Sequence, residues 1–126
     1  MATILVADDA PHIRRLLCAI LQPGHDVIEA DDGDEALRRA IAHRPALAIL
    51  DVAMPGLTGL DVCRRFRQDP ALQATPVIII TANGGPTDRG TALAAGANYF
   101  VTKPFSPALI VRLVAAALAG HVMPAR

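Results

Sequence analysis

The sequence predicts an α/β protein built on one doubly wound parallel sheet of five strands, order 2-1-3-4-5, flanked by five helices. Three observations carry this. Short apolar runs alternate with helical periodicity along the whole chain; three of the runs are apolar throughout; the other two are more polar. A continuous apolar run belongs to a strand covered on both faces, as in the centre of a parallel sheet, and polar strands belong at its edges. Five βα units in 126 residues then suit this strand order, with right-handed crossovers.

The central strands are TILVA (3–7), ALAIL (46–50) and PVIIIT (76–81); the edge strands are HDVIEA (25–30) and NYFVT (98–102). The first helix opens with Pro11 and closes before Pro23-Gly24, and Ile13, Leu16, Leu17, Ile20 and Leu21 are its expected inner face. The second, about 33–43, is expected to pack Ala36, Leu37, Ala40 and Ile41, and the third, about 59–68, Leu60, Cys63 and Phe66. The fourth, between Thr87 and Ala95, has Leu93 as its one large apolar anchor, is interrupted by Gly90 and is preceded by Gly84-Gly85-Pro86. The fifth begins at Ser106-Pro107, an N-cap and first-turn pair, and runs to Leu118 before Gly120.

Length and composition fit one domain, expected over residues 1–120 with a tail at 121–126, and a core of aliphatic side chains. Twelve basic and twelve acidic residues cancel, and no Lys/Arg cluster alternates with aromatics, which disfavours direct nucleic-acid binding. MATILVADD has no signal-peptide pattern and no apolar run reaches membrane-spanning length, so a cytoplasmic protein without membrane attachment is expected. Cys18 and Cys63 are isolated and read as buried free thiols. His12, His25, His43 and His121 have no neighbours at ligand spacing and read as surface or capping residues; Arg64, Arg65 and Arg67 read as a solvated helix face.

The chemistry gathers where the strands end. Asp8 and Asp9 follow the first strand, Asp51 the third, Thr81 ends the fourth and Lys103 follows the fifth. In a doubly wound sheet these carboxyl ends meet at one crevice beside the switch point between strands 1 and 3. A carboxylate ending a buried strand is costly to desolvate and needs a partner. Three close carboxylates also repel, by roughly 4 kcal/mol per pair at 4 Å and an effective dielectric near 20, so positive charge is expected among them. The donors are all hard oxygens, which favours Mg²⁺. Lys103 supplies an ammonium and Thr81 a hydroxyl for an incoming oxygen. An ionised Asp51 could then attack phosphorus and form an acyl phosphate. Ala82 and Gly56 are small and leave access open.

ILVADD, ILDVAMPGLTGLDVCRRFR, PVIIITA, the AAGA before the fifth strand and KPF together resemble the receiver domain of bacterial two-component response regulators over nearly the whole chain. The resemblance implies the flavodoxin-like receiver fold and a signalling module rather than an enzyme. Asp51 would accept a phosphoryl group from a phosphohistidine on a sensor histidine kinase or histidine phosphotransfer protein. Asp9, Asp51 and the backbone carbonyl of Ala53 would bind Mg²⁺ directly, with Asp8 acting through water. Thr81 and Phe100 match the family's switch pair, and the Lys103-Pro104 bond is often cis in the family.

Ala10 and Thr58 stand where many receivers carry further acidic residues. Ala53 and Asn83 occupy positions that tune hydrolysis of the aspartyl phosphate, and the glycine-rich approach to the fourth helix is compatible with a mobile output face or an ordinary loop. ALIVRLVAAALAG is apolar on more than one side. Its surplus apolar surface would meet a downstream protein or a second copy through the helix 4, strand 5 and helix 5 face, or be tolerated alanine-rich surface; Ile110→Asp is the expected test. A pseudo-receiver that binds proteins without being phosphorylated is the alternative. An aspartate-nucleophile phosphohydrolase is disfavoured by Ala53 two residues past Asp51, and a flavin carrier by the acidic first loop. Only HVMPAR follows the fifth helix, so either a stand-alone regulator or an excised receiver is expected, with a slight tilt to stand-alone.

Overall fold

The computed structural model describes residues 2–82 and 86–120. Expectations for Asn83, Gly84, Gly85, His121 and the tail lie outside these residues. The elements are β1 (Thr3–Ala7), α1 (Pro11–Leu21), β2 (Asp26–Ala30), α2 (Gly33–His43), β3 (Leu47–Asp51), α3 (Gly59–Gln68), β4 (Val77–Thr81), α4 (Pro86–Ala94), β5 (Tyr99–Thr102) and α5 (Pro107–Leu118). The strands form one parallel sheet, β2-β1-β3-β4-β5, with the polar strands at its edges as expected.

The sheet's alternation of side chains splits the core in two. Leu5, Ala7, Ala48, Leu50, Val77 and Ile79 face one side with Ala36, Ala40, Val62, Cys63, Phe66 and Ala92 from α2, α3 and α4. Ile4, Val6, Leu47, Ile49, Ile78, Ile80, Tyr99 and Val101 face the other, against Leu17 and Leu21 of α1 and Ile110, Val114 and Ala117 of α5. Both cysteines are buried free thiols, and burial pushes the Cys18 thiol up to about 11.

Helix starts follow local chemistry. Asp32 caps α2 by accepting from Glu35 N–H at 2.7 Å, and Ser106 caps α5 by accepting from Leu109 N–H at 3.0 Å. Thr58 and Asp61 form a reciprocal capping box at α3. Thr58 therefore orders the start of the helix that follows the Asp51 loop. His25 is half-buried, and its Nδ1 accepts from Ala2 N–H at 3.1 Å, which ties the start of β1 to the segment before β2.

Five expectations are corrected. Leu16 is 41% exposed and Ile41 53% exposed, because Leu17, Cys18 and Leu21 form the inner stripe of α1 and the smaller Ala36 and Ala40 that of α2. The inner face of α4 is Ala92, with Ala95 just beyond the helix, while Leu93 is half-buried. Ile110 is fully buried, so Ile110→Asp would break the core rather than probe a surface; Val111, 51% exposed, is the outward residue. Arg67 is no solvated charge: it donates to the carbonyls of Gly96, Gln73 and Thr75 and to Asn98 Oδ1. It ties α3 to the segments flanking β4 and β5.

Candidate functional site at the carboxyl end of the sheet

Parallel register brings the strand ends together. Ala7 is level with Ala30 and Leu50, Asp51 with Ile80, and Thr81 with Thr102. Backbone bonds continue past the ladder: Asp8 N–H donates to Ala30 O at 3.1 Å, Val52 N–H to Ile80 O at 3.0 Å and Lys103 N–H to Thr81 O at 2.7 Å. Each strand thus delivers its functional residue to the same rim.

One carboxylate oxygen from each of Asp8, Asp9 and Asp51 lies within 4.8 Å of the others. Asp8 and Asp51 are buried and Asp9 is exposed, so the cluster opens to solvent on the Asp9 side. Lys103 Nζ lies 3.1 Å from Asp8 Oδ2 and 3.2 Å from Asp51 Oδ1. Thr81 is buried at the end of β4, and Ala53 is exposed two residues beyond Asp51. Asp8, Asp9, Asp51 and Lys103 therefore meet at one rim, as expected from sequence.

Phe100 takes a different place. It is half-buried on the α2/α3/α4 side of the sheet, with the Arg89 guanidinium 5.2 Å from its ring centroid, within cation–π range. The Lys103-Pro104 peptide is cis.

Burial raises the Asp51 carboxyl above its ordinary pKa, and the Asp8 charge raises it further, with Lys103 opposing. For Lys103, burial acts downward, but the hydrogen bond to Asp8 and the charge of Asp51 outweigh it and hold the ammonium above its usual value. The lysine is a fixed cation, insufficient to neutralise three carboxylates. Asp8 Oδ2 shows the remaining demand: it is buried and, apart from Lys103 at 3.1 Å, has no partner among the described residues. A buried carboxylate oxygen met by one lysine within an all-oxygen donor set suits a hard divalent cation.

Sequence reasoning missed three supports. Gly59 packs so tightly that a Cβ would overlap the Asp51 carbonyl, so the return of α3 against the β3 end requires glycine. Arg14 Nη1 donates to Asp8 O at 2.7 Å. Arg89 covers Phe100. The two arginines carry no motif signal, because their contacts are to a distant backbone oxygen and a ring face.

The comparisons agree with this geometry. The family model described as "Response regulator receiver domain" matches residues 4–115. Protein PilH of Pseudomonas aeruginosa is 35% identical over 121 residues, covering 95% of this chain and 100% of PilH. The transcriptional regulatory protein ResD of Bacillus subtilis is 40% identical over 116 residues, covering 91% of this chain but 47% of ResD. The chain spans about half the length of ResD and of the alkaline phosphatase synthesis regulator PhoP of the same organism. The crystal structure of the chemotaxis protein CheY4 of Vibrio cholerae superposes with TM-score 0.88 at 32% identity, covering 93% of this chain and 98% of CheY4. Fold, sequence and family match therefore agree: the chain belongs to the response regulator receiver domain family of two-component signal transduction.

Proposed function

We propose that this receiver is phosphorylated on Asp51 with Mg²⁺ in the Asp8/Asp9/Asp51 centre. The cluster of three carboxylates at the end of the sheet, two of them paired with Lys103, carries the reading. The donor is a phosphohistidine of a sensor histidine kinase or histidine phosphotransfer protein. An Asp51 carboxylate oxygen forms the O–P bond as the N–P bond breaks, and the imidazole nitrogen keeps the bonding pair.

Asp8, Asp9, Asp51 and the Ala53 carbonyl are the proposed holders of the cation, which when bound supplies positive charge to offset the carboxylates and the phosphoryl oxygens. Lys103, already 3.2 Å from Asp51, pairs with a phosphoryl oxygen, and the Thr81 hydroxyl donates to another. Raised basicity at Asp51 suits attack on phosphorus once the lysine and cation keep it ionised. Thr81 and Phe100 are the proposed switch pair. The signal leaves through the α4/β5/α5 face, towards a downstream protein or a second copy. The signalling unit spans residues 1–120 and works in the cytoplasm.

Incubation with acetyl phosphate and Mg²⁺, followed by intact mass measurement, tests the reading. One labile phosphoryl group is expected on the wild type and none on Asp51→Asn. A wild type that stays unmodified under conditions where it binds Mg²⁺ would favour the protein-binding pseudo-receiver.

A further inference from the structure

Asp8 and Asp9 sit on the short turn between β1 and α1. Such a turn is commonly fixed by a capping side chain at the start of the helix, but the N-cap of α1 is Ala10, which makes no side-chain cap. Two other contacts hold it. Asp8 Oδ1 accepts from Ala10 N–H at 2.9 Å. Arg14, one turn into α1, donates from Nη1 to the Asp8 carbonyl oxygen at 2.7 Å.

That oxygen belongs to the peptide unit joining the two acids. Because the peptide is planar, holding its oxygen fixes the direction in which Asp9 leaves the turn. The same guanidinium faces the edge strand, with Nε 3.4 Å from Glu29 Oε1, and the Arg14 side chain is 19% exposed. Arginine's rigid fork suits this double task better than a single-point donor would.

We infer that Arg14 is a positioning residue of the acidic centre, holding the Asp8–Asp9 peptide so that both carboxylates are set for a divalent cation. This rests on the metal reading above. Removing an outer partner of a metal ligand typically weakens binding by about 10- to 100-fold, and a contact made through the backbone belongs at the lower end.

The full chain is compared as wild type, Arg14→Met, Arg14→Lys and Glu29→Gln. Mg²⁺ affinity is measured by calorimetry, and hydrogen exchange of the Ala10 and Ile49 amides is followed without metal. Arg14→Met is expected to bind Mg²⁺ about tenfold more weakly, with faster exchange at Ala10 and unchanged exchange at Ile49. Arg14→Lys should recover most of the affinity, because an ammonium can still donate to the Asp8 carbonyl. Glu29→Gln should stay close to wild type, since its contact is long and exposed.

Unchanged Mg²⁺ affinity in Arg14→Met overturns the inference. So does an equal loss of protection at Ala10 and Ile49, which would mark a general stability role. If the wild type itself binds no Mg²⁺, the metal reading fails, and the Ala10 amide still reports separately whether Arg14 holds the turn.

Discussion

Asp51→Asn should make the metal-free protein more stable. At an effective dielectric near 20, Lys103 at 3.2 Å attracts Asp51 by about 5 kcal/mol, while an acid oxygen within 4.8 Å repels it by about 3.5 kcal/mol or more. Two such neighbours outweigh the lysine, although Asp9 is exposed and partly screened, and desolvation of Asp51 adds to the imbalance. The variant keeps Lys103 paired with Asp8 at 3.1 Å. A gain of about 1–2 kcal/mol is expected at pH 7 in a chelator, or about 3–8 °C in Tm for a chain of this size.

The pH dependence has a definite sign. Since the folded pKa of Asp51 is raised, the native state binds more protons than the unfolded chain between the unfolded value, about 3.9, and the folded one. Wild-type stability therefore falls as pH rises through the folded pKa. The gap to Asp51→Asn should be closed below about pH 4 and should open as pH rises through the folded pKa. Mg²⁺ at ten times its Kd would return about 1.4 kcal/mol to the wild type and less to the variant. Thermal and urea unfolding at pH 4 and 7, with and without Mg²⁺, provide the assay. A variant no more stable than wild type at pH 7 without metal, or a gap independent of pH, would refute the reasoning.

Arg67→Ala should cost about 2–4 kcal/mol in urea unfolding, since it leaves several partly buried acceptors without a charged donor. Thr58→Ala should cost about 1 kcal/mol by removing the hydroxyl half of the α3 capping box. Bonds from the Thr58 backbone and then its side chain lower the Asp61 pKa, so their contribution is present above the unfolded pKa of Asp61 and is lost as pH falls through the folded one; the variant keeps the backbone bond, and its loss of stability in acid should be smaller than that of wild type but not absent. Val111→Asp should leave unfolding within about 0.5 kcal/mol of wild type, whereas Ile110→Asp should abolish the cooperative transition. If the α4/β5/α5 face carries the output, sedimentation with a phosphate mimic should show association lost in Val111→Asp.

Much of the fold was legible in the sequence because its strands are buried on both faces and leave uninterrupted apolar runs. The end of the ALAIL run locates Asp51 to the residue, and Ser106-Pro107 marks the start of α5. Topology then collects Asp8, Asp9, Asp51, Thr81 and Lys103 without further information. The errors arise where helical periodicity admits neighbouring stripes: Leu16 and Leu17 both fit an inner face, and tertiary packing chose Leu17 with Cys18. Ile110 and Val111 differ by one residue, about 100° around the helix, and α5 is too uniformly apolar to separate them. Arg14 and Arg67 were illegible for another reason. Their acceptors are largely backbone carbonyls, which every residue possesses, so only the folded path of the chain makes these two arginines special.

The most direct measurement is chemical trapping of the acyl phosphate. Protein treated with acetyl phosphate and Mg²⁺ is reduced with borohydride, digested and sequenced by mass spectrometry. The account predicts homoserine in place of Asp51, dependent on both donor and cation. Reduction at Asp8 or Asp9 instead, or none at any aspartate while Mg²⁺ is bound, would contradict it.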